Sequence, residues 1–255
     1  MLECLPVLLF LIQYTSAEIF KIGYLTGSQR QLGDLEYSKP GRTISGAISL
    51  AVEEVNKGQL GRMGHKLDYI VAETYGKEVV SVQKTADLWK MNVSVYIGPQ
   101  ETCEHEAFMA AAFNLPMISY YCIHHATSDK SKFPTFARTR PPDTQISKSV
   151  ASILLAFNWT HVILLYLKSA DYEVFETVAE IILEVLKAAG ITVAATRNWF
   201  VPFHVGYDDN PFYSILEETY KDTRIFVILG HHYEHFGLML AMEEMNLFDT
   251  GKFLV

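Results

Sequence analysis

Four hydroxyls, one lysine–aspartate pair and a histidine run sit where a site for a small polar molecule would need them. Ser28, Thr102, Ser119 and Tyr120 each fall at or just past an apolar run, and Lys168 and Asp171 follow another such run. A hydroxyl both donates and accepts, and an ammonium with a carboxylate would hold a zwitterion. The helix start near 101–103 would offer backbone N–H groups to an anion. Within Gly230-His-His-Tyr-Glu-His235, His231 is a further contact whose charge would change near pH ~6.5. His231 and His235, four apart, would share one face of a helix. Zinc needs three or four ligands, and no cysteine or fourth histidine is paired with them in sequence; His124 and His125 lie in a distant loop. No metal is therefore expected. The Gly-x-Ser-x-Gly elbow, Walker A, His-Glu-x-x-His and Gly-x-Gly-x-x-Gly patterns are all missing, so no catalytic residue can be named.

The elements that must position these groups are legible as alternation. Runs rich in Ile, Val and Tyr at 20–25, 68–73, 94–98, 117–122, 135–139, 161–167, 191–196 and 225–230 predict strands, most of them covered on both faces. Apolar residues at helical spacing lie between them: Ile44, Ala47, Ile48, Ala51, Val52 and Val55; Val150, Ile153, Leu154 and Phe157; Val174, Val178, Ile181, Ile182 and Val185. Gly190 stops the last of these. Strands alternating with helices imply βαβ units and a mostly parallel sheet, an α/β fold. In such sheets ligands bind at the C-terminal ends of the strands, the reason for singling out the hydroxyls above. Cys103 and Cys122 also follow neighbouring strands, where a disulfide would close over a cleft. Arg138-Thr-Arg-Pro-Pro-Asp143 breaks the alternation, which then restarts, so two lobes are expected. The aromatic stretch Phe200, Phe203, Tyr207, Phe212 and Tyr213 reads either as a peptide or dimer surface or as a loop packed on the core.

Composition and the N-terminus restrict the compartment. Residues 5–12 are apolar apart from Pro6, and Thr15 and Ala17 suit a signal-peptidase site, so residues 1–17 are read as a signal peptide, although the n-region carries Glu3 and no Lys or Arg. Cleavage would remove Cys4 and leave Cys103 and Cys122, an even count that suggests a bridge in an oxidising compartment, two buried thiols being the other reading. Asn92-Val-Ser94 and Asn158-Trp-Thr160 are N-glycosylation acceptors, the second with a tryptophan at its middle position. A net charge of −8 argues against nucleic acid and anionic membranes as partners. Beyond the N-terminus no apolar run reaches the ~18 residues that span a bilayer.

Several motifs then follow in a familiar order: Ile22-Gly-Tyr-Leu-Thr26, the helix Ser45-Gly-Ala-Ile-Ser-Leu-Ala-Val-Glu-Glu-Val-Asn56, Gly98-Pro99, Asn114-Leu-Pro116, Ile118-Ser119, Phe136-Ala-Arg138 and Phe157-Asn-Trp159. This order resembles the receptor ligand-binding region of type I periplasmic-binding-protein-like fold, found in natriuretic peptide receptors, receptor guanylate cyclases and metabotropic glutamate receptors. Leu25-Thr-Gly-Ser-Gln-Arg30, Ala72-Glu-Thr-Tyr-Gly76, Gly98-Pro-Gln-Glu-Thr-Cys103 and Phe133-Pro-Thr-Phe-Ala-Arg-Thr-Arg-Pro-Pro-Asp143 are similar in particular to orphan receptor guanylate cyclases of insects.

The resemblance implies a two-lobed domain, lobe 1 over 18–143 and lobe 2 over 144–255, the second incomplete because 252–255 begins a strand that stops. It implies the extracellular ligand-binding part of a membrane receptor. That part would sense a peptide or small molecule in or near the interlobe cleft and pass a conformational signal toward cGMP synthesis in a full-length protein. No catalytic domain and no cofactor are expected in this chain, and a homodimer is a further partner the resemblance allows. Natriuretic receptors have an earlier disulfide and a chloride site near it; here 72–78 contains no cysteine. The alternative is a freestanding secreted binder or decoy, with a secreted hydrolase a distant third.

Overall fold

The computed structural model describes residues 17–32, 39–100, 103–169 and 173–248. The signal peptide but for Ala17, Thr102, Asp171 and the strand expected at 252–255 lie outside the described residues. The chain divides into two compact units, one ending at Arg140 and the other starting at Pro141.

The first unit is a five-stranded parallel sheet in the order β2-β1-β3-β4-β5. Its strands are β1 (Ile19–Thr26), β2 (Lys66–Glu73), β3 (Val95–Ile97), β4 (Met117–Ser119) and β5 (Phe136–Arg138). The helices between them are α1 (Pro40–Ile44), α2 (Gly46–Lys57), α3 (Gln59–Arg62), α4 (Glu78–Lys90) and α5 (Glu104–Ala112). Interior β1 is buried throughout 22–26, whereas the edge strand β2 leaves Lys66, Asp68 and Val71 exposed, as strands covered by neighbours on two sides and on one side should. Leu25, Leu88, Tyr96, Ala107, Ala110, Met117 and Phe136 fill one face of the sheet. Burial pushes the Tyr96 phenol up to about 12, and its hydroxyl donates to the Thr85 carbonyl at 3.2 Å.

The second unit repeats the plan with three parallel strands in the order β7-β6-β8. They are β6 (His161–Leu167), β7 (Thr192–Trp199) and β8 (Phe226–Leu229), with helices α6 (Asp143–Ala156), α7 (Glu173–Ala188), α8 (Phe212–Thr219) and α9 (Glu234–Glu244). Val162, Ile163, Leu164, Leu165 and Leu167 are all fully buried, as a central strand covered by helices on both faces requires.

All eight predicted strands form. The helix stripes were read too wide. In α2 only Ile48 and Val52 are buried, while Val55 and, at the end of α1, Ile44 are exposed; in α6 Leu154 is buried, but Ile153 and the capping Phe157 are 54% and 64% exposed. The aromatic stretch divides: Phe203 and Phe212 are buried in the core, and Phe200 and Tyr207 are exposed.

Candidate ligand-binding edge of the first unit

Strand β1 lies between β2 and β3, so the chain reverses its direction of travel across the sheet there, and the C-terminal ends of β1 and β3 flank the crevice where such sheets bind ligands. Three side chains build this edge. The half-buried Glu73 carboxylate, at the end of β2, accepts from the Ser28 N–H at 2.9 and 3.1 Å, from the Tyr75 N–H at 2.8 Å, and from the Ser28 hydroxyl. Tyr75 takes φ +56° to do so. Gln100, past β3 and fully buried, accepts from the Gly41 N–H at 2.9 Å and the Gly27 N–H at 3.4 Å, tying the loop after β1 to the start of α1. Thr26 is buried, and its Oγ1 has no hydrogen-bond partner among the described residues. A Cβ on Gly41 would sit 2.1 Å from that oxygen, so this close approach admits only glycine.

Beside this framework is a cavity of about 620 Å³ whose lining includes Thr26, Ser28, Arg30, Lys39, Arg42 and Ser45. It joins hydroxyls to three cationic side chains at the end of β1. A polar ligand with anionic oxygens matches that lining, and the volume suits a small molecule.

The other predicted residues fall into different roles. Ser119 has no exposed surface; its hydroxyl donates to the Pro99 carbonyl at 3.1 Å and accepts from the Cys122 N–H at 3.0 Å and the Tyr121 N–H at 3.3 Å. The strand-end rule gives its position, and in this structure its side chain turns inward to brace the loop after β4. The Tyr120 hydroxyl donates to the Leu25 carbonyl at 3.1 Å, and the ring packs 6.1 Å from that of Tyr24. Cys103 and Cys122 form a disulfide, but both are buried in the core of the first unit, so the bridge clamps packed elements and does not close over an open cleft. Helix α5 begins at Glu104, with Cys103 as its N-cap.

In the second unit, Lys168 at the end of β6 is exposed and pairs with Glu176 at 2.5 Å, a hydrogen bond that raises its pKa. His231 does not share a helix face with His235, because α9 starts only at Glu234. Its ring stacks on Tyr233 at 5.1 Å, which stacks in turn on His204 at 4.8 Å. Beneath them is Glu234, fully buried, whose carboxylate accepts from Trp199 Nε1 at 2.5 Å, the His231 N–H at 2.7 Å and the Phe203 N–H at 3.1 Å. Burial raises its pKa against the opposing pull of these donors.

The strand-end rule places Glu73 and Gln100 on the expected wall of the cleft, within 73–75 and 99–103, but gives them no role, and it stops short of Glu234. Each is a long polar side chain at or beyond a strand end, a weak signal whose meaning depends in part on partners 31 to 73 residues away, beside the local donors Tyr75 and His231.

Comparison with known proteins agrees with this architecture. The profile of the receptor family ligand binding region matches residues 43–255. Guanylate cyclase 32E of Drosophila melanogaster is 31% identical over 264 residues, covering 99% of this chain and 22% of that protein. Receptor-type guanylate cyclase Gyc76C of the same fly is 30% identical, covering 93% of this chain and 15% of the relative. The resact receptor of Arbacia punctulata is 25% identical, covering 83% and 21% respectively. The chain belongs to the receptor family ligand binding region family, and its relatives include receptor guanylate cyclases. It spans only 15% to 22% of the length of these three relatives, and the region matched is the ligand-binding one. No helix among the described residues is long and apolar enough to cross a membrane.

Proposed function

We propose that this chain is the extracellular ligand-binding part of a receptor resembling the receptor guanylate cyclases, with a small polar ligand seated at the strand-end edge of its first unit. The observation that carries this reading is the cation-lined cavity at the end of β1, beside the point where the strand order reverses. Arg30, Lys39 and Arg42 supply charge for anionic groups. Occupancy would favour one conformation of a larger receptor over another, and in a full-length protein that shift would pass toward cGMP synthesis. A peptide ligand is the second form of the reading, favoured by the exposed Phe200, Val201 and Tyr207 after β7.

The test is a thermal-shift screen of the secreted chain against dicarboxylates, amino acids and short peptides. A ligand at a hundred times its Kd should stabilise the protein by about 2.7 kcal/mol. A small-anion hit abolished by Arg42→Ala supports the edge of the first unit. Peptide hits indifferent to Arg42→Ala and lost with Phe200→Ala move the site to the second unit, and no hit of either kind counts against binding at these edges.

A further inference from the structure

We propose that Asn92 and Asn158 each carry an N-linked glycan, and that both glycans stand at strand-entry turns, away from the strand-end edges. The inference rests on the extracellular reading above and adds a modification that the reading does not require.

The geometry comes first. Helix α4 ends at Lys90, Met91 is its cap, and Asn92 follows with φ +61°; α6 ends at Ala156, Phe157 is its cap, and Asn158 follows with φ +57°. Each asparagine is thus the left-handed residue that closes a helix and feeds a strand, β3 in one unit and β6 in the other. For Asn158 the turn is closed by the Trp159 N–H donating to the Leu154 carbonyl at 2.8 Å. Asn114 and Asn246 adopt the same conformation after α5 and α9, with φ +52° and +55°. Their conformation has the same backbone reason, but Pro116 and Phe248 stand two residues on, where an acceptor needs Ser or Thr. The fold therefore explains four left-handed asparagines and does not explain why two of them also precede a hydroxyl residue at the right spacing.

Both acceptors meet the spatial requirement. Asn92, Ser94, Asn158 and Thr160 are all exposed. At Asn158 the flanking rings of Phe157 and Trp159 stack at 4.9 Å and 23°, and Phe157 is 64% exposed. That apolar platform beside the amide suits the C–H face of a first sugar and would be covered by it. Because both turns enter their strands, each glycan stands at the opposite end of its strand from the edge where ligands bind.

The transfer balances with one named co-reactant, a lipid-linked pyrophosphate oligosaccharide. The asparagine amide nitrogen attacks the anomeric carbon, a C–N bond forms, and the C–O bond to pyrophosphate breaks. The amide proton goes to a base of the transferase, and the lipid pyrophosphate leaves.

The test expresses the whole chain in insect cells, separates medium from cytosol, and treats both with peptide-N-glycosidase. Two mobility steps are expected. Ser94→Ala should remove one and Thr160→Ala the other, since both variants keep the left-handed asparagine and its turn. Asn114→Gln should leave both steps in place. A single step lost with Ser94→Ala overturns the Asn158 assignment. Protein in the medium with no glycosidase-sensitive step overturns the glycans while leaving the extracellular reading intact. Unmodified protein confined to the cytosol overturns both.

Discussion

Each unit closes its strand-end edge with one carboxylate, and the two carboxylates are treated oppositely. Glu73 in the first unit is half-buried, binds the loop after β1, and stands beside an open cavity. Glu234 in the second has no exposed surface, collects donors from the end of β7 and from the loops after β7 and β8, and binds the backbone of His231, whose ring stacks on Tyr233 and through it on His204. The same device stands beside a cation-lined cavity in the first unit, whereas in the second it is closed over and the cavity there, about 420 Å³ along 198–203, is lined mainly by aromatic and apolar side chains. A half-buried carboxylate keeps water as an alternative partner, whereas a buried one makes every donor depend on it.

The largest effect should therefore come from Glu234→Ala. It strands an indole N–H and two backbone N–H groups in the core, at about 3 to 5 kcal/mol, since each buried unsatisfied donor costs about 1–3 kcal/mol and water relieves part of the sum. Urea unfolding of the secreted chain would show the second unit melting early and the first unchanged. The pH dependence has a definite sign. With its folded pKa raised by burial, Glu234 binds its proton more tightly in the native state than in the unfolded one. Its contribution to stability is then greatest below the ordinary glutamate range and declines as pH rises through the raised value. Glu234→Gln should flatten that decline. An unaltered pH profile in the glutamine variant would mean that the donors offset burial and leave no net shift, and a profile changed in the opposite direction would mean that the donors dominate.

Next in size is the disulfide, which should matter only to the first unit. Cys103 and Cys122 are 19 residues apart, and closing a loop of that length is worth about 3 kcal/mol in the unfolded-chain account. Cys103→Ser with Cys122→Ser should lower the first transition alone. A matching fall in the second would show that the two units unfold together.

Ser119→Ala and Ser28→Ala separate bracing from binding. Ser119 holds two N–H groups in a buried turn, so its loss should cost about 1 to 2 kcal/mol of stability, with ligand affinity following only as far as the fold does. Ser28 keeps two N–H contacts to Glu73 after losing its hydroxyl, so about 1 kcal/mol is expected from Ser28→Ala.

These contrasts mark what the sequence could convey. Strands were legible because a parallel strand buried on both faces must be apolar throughout, as in β6. Helix α4 left no stripe, because the residues it buries are Ser81, Thr85 and Leu88, two of them polar. The disulfide was legible from an even cysteine count, but its burial was not, since depth depends on how α5 packs. Ser119 was legible in its position along the chain but not in its direction: β4 buries Met117 and Ser119 and exposes Ile118, an alternation too short to read in three residues. The roles of Glu73 and Glu234 escaped because Ser28 for the one, and Trp199 and Phe203 for the other, are brought to them by topology.

The smallest effect on stability should accompany the sharpest effect on binding. Arg42 is exposed on the cavity rim in the last turn of α1, so Arg42→Ala should shift the unfolding free energy by no more than ~0.5 kcal/mol. If anionic ligands bind there, losing one charge-assisted hydrogen bond should cost about 1.5 to 3 kcal/mol of affinity, roughly 10- to 100-fold in Kd. The affinity of the unmutated chain should also fall with added salt, because the cavity is open to solvent and its charges are screened. Calorimetric titration at two ionic strengths reads both quantities. Equal affinities for the two proteins, with no salt dependence, would leave the edge of the first unit without the role that distinguishes it from the edge of the second.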